Sequence, residues 1–266
     1  MDNAIFGVDS ATPATLEAAK ALYAEGARFW GRYLVPKTWK ALTKAEANLI
    51  RGTGIALLLI WETAATRARM GEYAGASDGI AARELAAEMG VPNGTAIYFA
   101  VDYNAPAADY PTIEAYLRAA AKACAPYKVG VYGSYGVIEA MAQRGAADHF
   151  WQCRAWSGGR VSAHADAYQY QWSGGAEAKA LAEKAGFSVD LDRCEDMKKA
   201  GLWLPMEVDT MPTEPADYEG HWAEASIRKA MRKGILQGYP DGTIRPSEPV
   251  KRGQLAAILD RLGLLD

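Results

Sequence analysis

Short apolar runs alternate along the chain with alanine-rich stretches whose apolar positions recur at helical spacing. The runs at Ile5 to Asp9, Arg28 to Val35, Ile55 to Trp61, Thr95 to Asp102, Lys128 to Tyr132, Phe150 to Trp156, Ala167 to Trp172 and Ser188 to Asp192 read as strands. Between them, Thr15 to Glu25, Thr43 to Arg51, Ser77 to Met89, Tyr110 to Cys124 and Tyr135 to Gln143 carry the helical period. Thr43-Lys44-Ala45-Glu46 has capping-box spacing, and Gly90 closes the Ser77 helix. Such alternation predicts an α/β fold, and strands this continuously apolar suit a parallel sheet covered on both faces. The expected architecture is a TIM-type (β/α)8 barrel over residues 1–200, with a doubly wound open sheet as runner-up. The stretch from Gln169 to Asp192 is short for two complete strand–helix units, so the barrel is expected to be irregular at its closure. An acidic, Pro-containing linker is expected at 201–217, and a small all-α helix-turn-helix module at 218–266.

In a barrel of this kind the active site lies at the C-terminal ends of the strands. Asp9, Glu62, Asp102 and Asn104, Tyr132, Trp156, Gln171, and Asp190 with Asp192 fall at or near such ends. A single carboxylate after a strand is commonly a helix cap or turn former; several on one rim, interleaved with aromatics, point to acid–base chemistry on a sugar. Glu62, beside Trp61 at the end of an aliphatic run, is placed where burial would raise its pKa and let it serve as general acid. Asp102 would then remain ionised as its partner, with Asp9 in support.

The remaining composition mainly excludes. A net charge of -3 argues against nucleic acid as a partner. The three cysteines, Cys124, Cys153 and Cys194, lack the spacing of a disulfide framework or a zinc site. Neither His149, His164 and His221 nor the serine in Gly133-Ser134-Tyr135-Gly136 forms a recognisable zinc or nucleophile-elbow arrangement, so no metal or other cofactor is expected. No apolar run is long enough for a membrane span, and Met1-Asp2-Asn3 leads into the first strand with no signal-peptide pattern. The expectation is synthesis in a cytoplasm followed by action at a bacterial cell wall.

That last expectation comes from two resemblances. Gly7-Val8-Asp9-Ser10, Phe29-Trp30-Gly31-Arg32-Tyr33-Leu34, Trp61-Glu62, Ile97 through Asp102, Gly130 through Tyr135 and Val189-Asp190-Leu191-Asp192 resemble the glycoside-hydrolase-like "domain of unknown function 1906" family. That family is similar to the glycoside hydrolase family 25 lysozymes. The resemblance implies a barrel that cleaves the β-1,4 bond between N-acetylmuramic acid and N-acetylglucosamine, with Asp9 at the floor of the site and Asp190 or Asp192 matching the last-strand aspartate. Family 25 lysozymes carry Asp-x-Glu after the fourth strand; here the matching residues are Asp102, Tyr103 and Asn104.

From Gly220 to Leu259 the chain resembles one surface-layer-homology repeat. The resemblance implies binding to a secondary cell-wall polymer, with Arg252 matching the family's anion-binding arginine and Trp222 and Tyr239 lining the pocket or packing the small core. A lone repeat of this size is expected to dock on the barrel or associate with other copies. Two functions therefore stand: a peptidoglycan hydrolase of the bacteriolytic, endolysin kind, or a wall-binding protein that holds glycan strands without cutting them.

Overall fold

The structure, a computed structural model, describes residues 4–206, 217–232, 235–236, 243–262 and 264–265. Two compact units emerge, Met1–Met206 and Glu207–Asp266. In the first, eight strands close into a barrel in sequence order: β1 (Ile5–Asp9), β2 (Phe29–Tyr33), β3 (Ala56–Trp61), β4 (Ala96–Ala100), β5 (Lys128–Gly133), β6 (His149–Cys153), β7 (Ala167–Gln171) and β8 (Asp190–Cys194). Helices α1 (Leu16–Ala24), α2 (Lys44–Gly52), α3 (Gly71–Met89), α4 (Tyr110–Cys124), α5 (Tyr135–Arg144) and α6 (Ala176–Ala185) surround it. The TIM-type architecture stands as expected. Helix α3 begins six residues before the expected Ser77, and α6 is a helix that the sequence pattern did not pick out.

The irregularity expected at closure takes a definite form. Strands β1 to β7 run parallel to their neighbours, whereas β8 is antiparallel to both β1 and β7. No helix lies between β6 and β7, which are joined by a loop. On β7, Gln169 faces Asp192 and Gln171 faces Leu191, so Tyr170 is the extra residue of a β-bulge.

Strand side chains alternate between two cores. Phe29, Leu58, Ile60, Tyr98, Tyr132 and Trp151 fill the barrel, with small residues such as Ala56, Ala96 and Ala100 between them. Val8, Trp30, Leu57, Leu59, Ile97, Phe99 and Val131 pack outward beneath the helices. Trp61 belongs to this outer layer, 6.3 Å from Phe99, so the next residue, Glu62, takes the inner parity.

The barrel unit extends six residues beyond the expected end at 200. Ala200 and Leu202 enter the interior core, Tyr98 donates its hydroxyl to the Ala200 carbonyl at 2.7 Å, and Trp203 forms a bridge with Leu57. This segment plugs the base of the barrel, opposite the mouth.

The second unit is described by itself. Helices α7 (Glu224–Arg232) and α8 (Arg252–Arg261) accompany a small core of Tyr218, Ile227 and Ile244. Asp217, expected in the linker, is part of this unit: its carboxylate accepts the backbone N–H groups of Ile244 and Arg245. Residues 207–216 of the expected linker lie outside the described residues, as does Tyr239.

Because Leu202 fills the barrel base, Leu202→Ala should destabilise the barrel by about 2–5 kcal/mol. The midpoint of urea unfolding, at unchanged slope, measures it.

Candidate active site

The mouth of the barrel is built by strand ends, with one exception that follows from topology. Because β8 runs antiparallel, its first residue, Asp190, lies level with the last residue of β1, Asp9. Asp192 is paired with Gly7 one step deeper and is closed to solvent. Room for Asp9 comes from Gly31 on β2, where a Cβ would lie 2.6 Å from the Asp9 Cβ.

A hydrogen-bond network holds these carboxyls. Gln169 on β7 donates its amide to Asp9 at 2.7 Å and to Asp190 at 3.1 Å, and its carbonyl accepts the Tyr132 hydroxyl at 2.9 Å. The Ser173 N–H donates to Asp190 at 2.7 Å. Below them, Trp151 donates its indole N–H to Asp192 at 2.9 Å. The other Asp192 oxygen finds no hydrogen-bond partner among the described residues.

Across the mouth, Lys40 reaches Glu62 at 3.5 Å and lies 4.1 Å from the centroid of the Tyr33 ring. The nearby Tyr33 hydroxyl also draws the Glu62 pKa down. Asp102 follows β4, and its backbone N–H donates to Ala65 in the loop that carries Glu62. Lys40 acts on Asp102 as well as on Glu62.

Burial and crowding push every one of these carboxyls the same way. Burial, with Asp190 next in weight, lifts Asp9 to about 7 from an ordinary 3.8. Asp192 is raised well above the usual range by burial and by Asp9. Burial also raises Asp190, Glu62 and Asp102, the last two against the pull of Lys40. Burial, and after it these carboxyls, push the Tyr33 hydroxyl up as well. The mouth therefore holds its carboxyls above their ordinary range, the direction that a general acid needs.

The expected site residues do not all meet there. Asp9, Glu62, Asp102 and Asp190 do. Asp192 and Tyr132 lie beneath the mouth, buried against Trp151, and support residues above them. Gln171 is turned away: the bulge at Tyr170 inverts its parity, and its carbonyl accepts the Ala178 N–H in the first turn of α6. Asn104 is exposed in the loop after β4, and Trp156 is partly exposed at the end of β6. Gln169, Tyr33 and Lys40 were not singled out by the sequence pattern. Inner parity on β2 and β7 was the available signal for Tyr33 and Gln169, while Lys40 arrives through the fold of the β2–α2 loop. In the second unit Arg252 is exposed at the start of α8, and Trp222, 92% exposed, does not pack that unit's core.

Comparison with known proteins places the two units in families. The family described as "Rv2525c-like, glycoside hydrolase-like domain" matches residues 20–195, and the "S-layer homology domain" matches residues 216–256. The Mycobacterium tuberculosis Tat-secreted protein Rv2525c, solved with L-tartrate, aligns with a TM-score of 0.63 at 22% identity, over 74% of this chain and 98% of that one. The modular autolysin LytC of Streptococcus pneumoniae, solved with a synthetic peptidoglycan ligand, aligns with a TM-score of 0.50 at 12% identity, over 73% of this chain and 47% of that one. At these identities the likeness is one of fold. A cellulosome-anchoring protein of Acetivibrio thermocellus is 43% identical over 49 residues, 18% of this chain and 11% of that protein, so the chain matches a small part of that relative's length.

The raised carboxyls set the sign of the pH dependence. Between 3.8 and about 7 the folded state holds an Asp9 proton that the unfolded chain has released, so stability falls as pH rises through that window. Wild type should lose stability from pH 4 to 7, and Asp9→Asn should flatten the loss by roughly 1–3 kcal/mol. Urea midpoints across that pH range check both.

Proposed function

Since the chain belongs to the Rv2525c-like, glycoside hydrolase-like family, we propose that it is a peptidoglycan hydrolase of the lysozyme type, held at the bacterial wall by its S-layer homology unit. The observation that carries this is the gathering of Asp9, Glu62, Asp102 and Asp190 at one barrel mouth with their pKa values raised together. In this reading Glu62 is the general acid: burial raises its pKa, and Lys40 limits how far. Asp102 is the ionised partner that stabilises the oxocarbenium-like charge or activates water or the sugar's own N-acetyl group. Asp9 and Asp190, spanned by Gln169, bind hydroxyls of the sugar at the scissile bond. The enzyme would act on glycan strands in the manner of an endolysin or autolysin, and the autolysin of similar fold, solved with a peptidoglycan ligand, supports that substrate class.

The S-layer homology unit would bind a secondary wall polymer through Arg252, whose guanidinium suits a carboxylate, with Trp222 a further exposed flat surface of the same unit. Self-association through this single repeat remains part of the proposal. A second reading rests on Asn104. It stands two residues after Asp102, in the place of the lysozyme glutamate, and an amide there cannot donate a proton as a carboxylic acid does. A barrel that binds glycan without cutting it would look the same in every other respect.

Release of reducing ends from purified Gram-positive walls separates the two. Wild type should release them, and Glu62→Gln and Asp102→Asn should each lose about 100-fold or more while still sedimenting with walls. Wild type that sediments with walls and releases nothing sinks the hydrolase reading. Arg252→Ala should weaken sedimentation at least about tenfold and leave hydrolysis of soluble glycan unchanged.

A further inference from the structure

Three indoles stand exposed on loops that leave the barrel mouth: Trp39 after β2, Trp156 after β6 and Trp172 after β7, at 71%, 45% and 69% exposure. Isolated exposed aromatics are ordinary. These three share one face of the barrel, and two are tied to the carboxyl cluster through their chain neighbours. Lys40, next to Trp39, makes the ion pair with Glu62. Ser173, next to Trp172, gives its N–H to Asp190.

The Trp172 ring is also seated. It lies against Gly174, where a Cβ would come within 2.0 Å of the ring, so backbone covers one face while the side chain remains largely open to solvent. Trp156 is held at φ 55, a region that bulky residues rarely occupy. Neither arrangement buries the indole, so neither is explained by packing.

Strand order locates them around the cluster. The sequence around the barrel is β7, β8, β1, β2. The rim therefore reads Trp172, Asp190, Asp9, Trp39, with the carboxyl pair bracketed by two open indoles. Sugar rings present apolar C–H faces that stack on such surfaces while their hydroxyls stay in water. Resting on the reading of this mouth as a glycan site, we propose that Trp39 and Trp172 are stacking platforms on either side of the carboxyls. The mouth then takes a strand of several β-linked hexosamines laid across it, with Trp156 extending the track. The substrate class is polymeric glycan addressed at internal bonds, rather than a disaccharide or a chain end.

Calorimetric binding to the full chain tests this with peptide-free wall glycan oligomers of two and six sugars. The hexamer should bind wild type at least about tenfold more tightly than the disaccharide. Trp39→Ala and Trp172→Ala should each lower hexamer affinity about tenfold, with disaccharide affinity and thermal melting little changed. Gly174→Ala, which unseats the ring without removing it, should act in the same direction as Trp172→Ala, and Trp172→Phe should restore part of the affinity. Equal affinity for the two lengths, hexamer binding unaffected by both tryptophan substitutions, or no binding of either oligomer would overturn the proposal. Length-dependent, tryptophan-dependent binding with no release of reducing ends would leave it standing while removing the hydrolase reading.

Discussion

Asp9 faces Asp190 across the antiparallel β1–β8 pair, and on that register the rest of the mouth depends. A parallel last strand would bring its C-terminal end, not its first residue, to the mouth. The reversal brings Asp190 level with Asp9 and sends Asp192 beneath them. Three carboxyls so close cannot all ionise in a buried setting, so protons stay on some of them. Gln169 spans the upper two, Trp151 anchors the lower one, and Gly31 leaves the space that Asp9 occupies.

This arrangement costs stability. An apolar filling of the same volume would avoid the desolvation of Asp9 and Asp192 and the repulsion between them. Barrel interiors are ordinarily filled by apolar side chains, and here such packing occupies the lower levels, through Phe29, Ala96 and the Leu202 plug. The polar layer begins only toward the mouth. The division follows a general pattern in which strained or unfavourable groups collect where chemistry is done and the remainder of the core compensates.

Much of this was legible in the sequence. The apolar runs and capping signals located every strand of the barrel, and strand-end logic found Asp9, Glu62, Asp102 and Asp190. It misplaced Asp192 because the direction of β8 leaves no mark in a five-residue strand. It misassigned Gln171 because a bulge inverts side-chain parity and depends on pairing with another strand, which local pattern does not contain. Lys40 was invisible for a related reason: a lysine in a ten-residue loop gains meaning only when the loop folds back on Tyr33, as the Leu42 N–H bond to the Tyr33 carbonyl shows it does. The barrel boundary ran past 200 because Leu202 and Trp203 pack against strands distant in sequence.

The central claim is that burial and crowding at the barrel mouth raise its carboxyls above their ordinary range, and site-resolved titration tests it most directly. Carbon-13 labelling of aspartate and glutamate side chains, with assignment by single Asn or Gln substitution, gives the midpoint of each carboxyl in the folded protein. Asp9 should titrate near 7, with Glu62, Asp102 and Asp190 all above ordinary carboxylates. Midpoints for all four near 4, the value of free side chains, would contradict the account and leave the cluster without the property that suits it to acid catalysis.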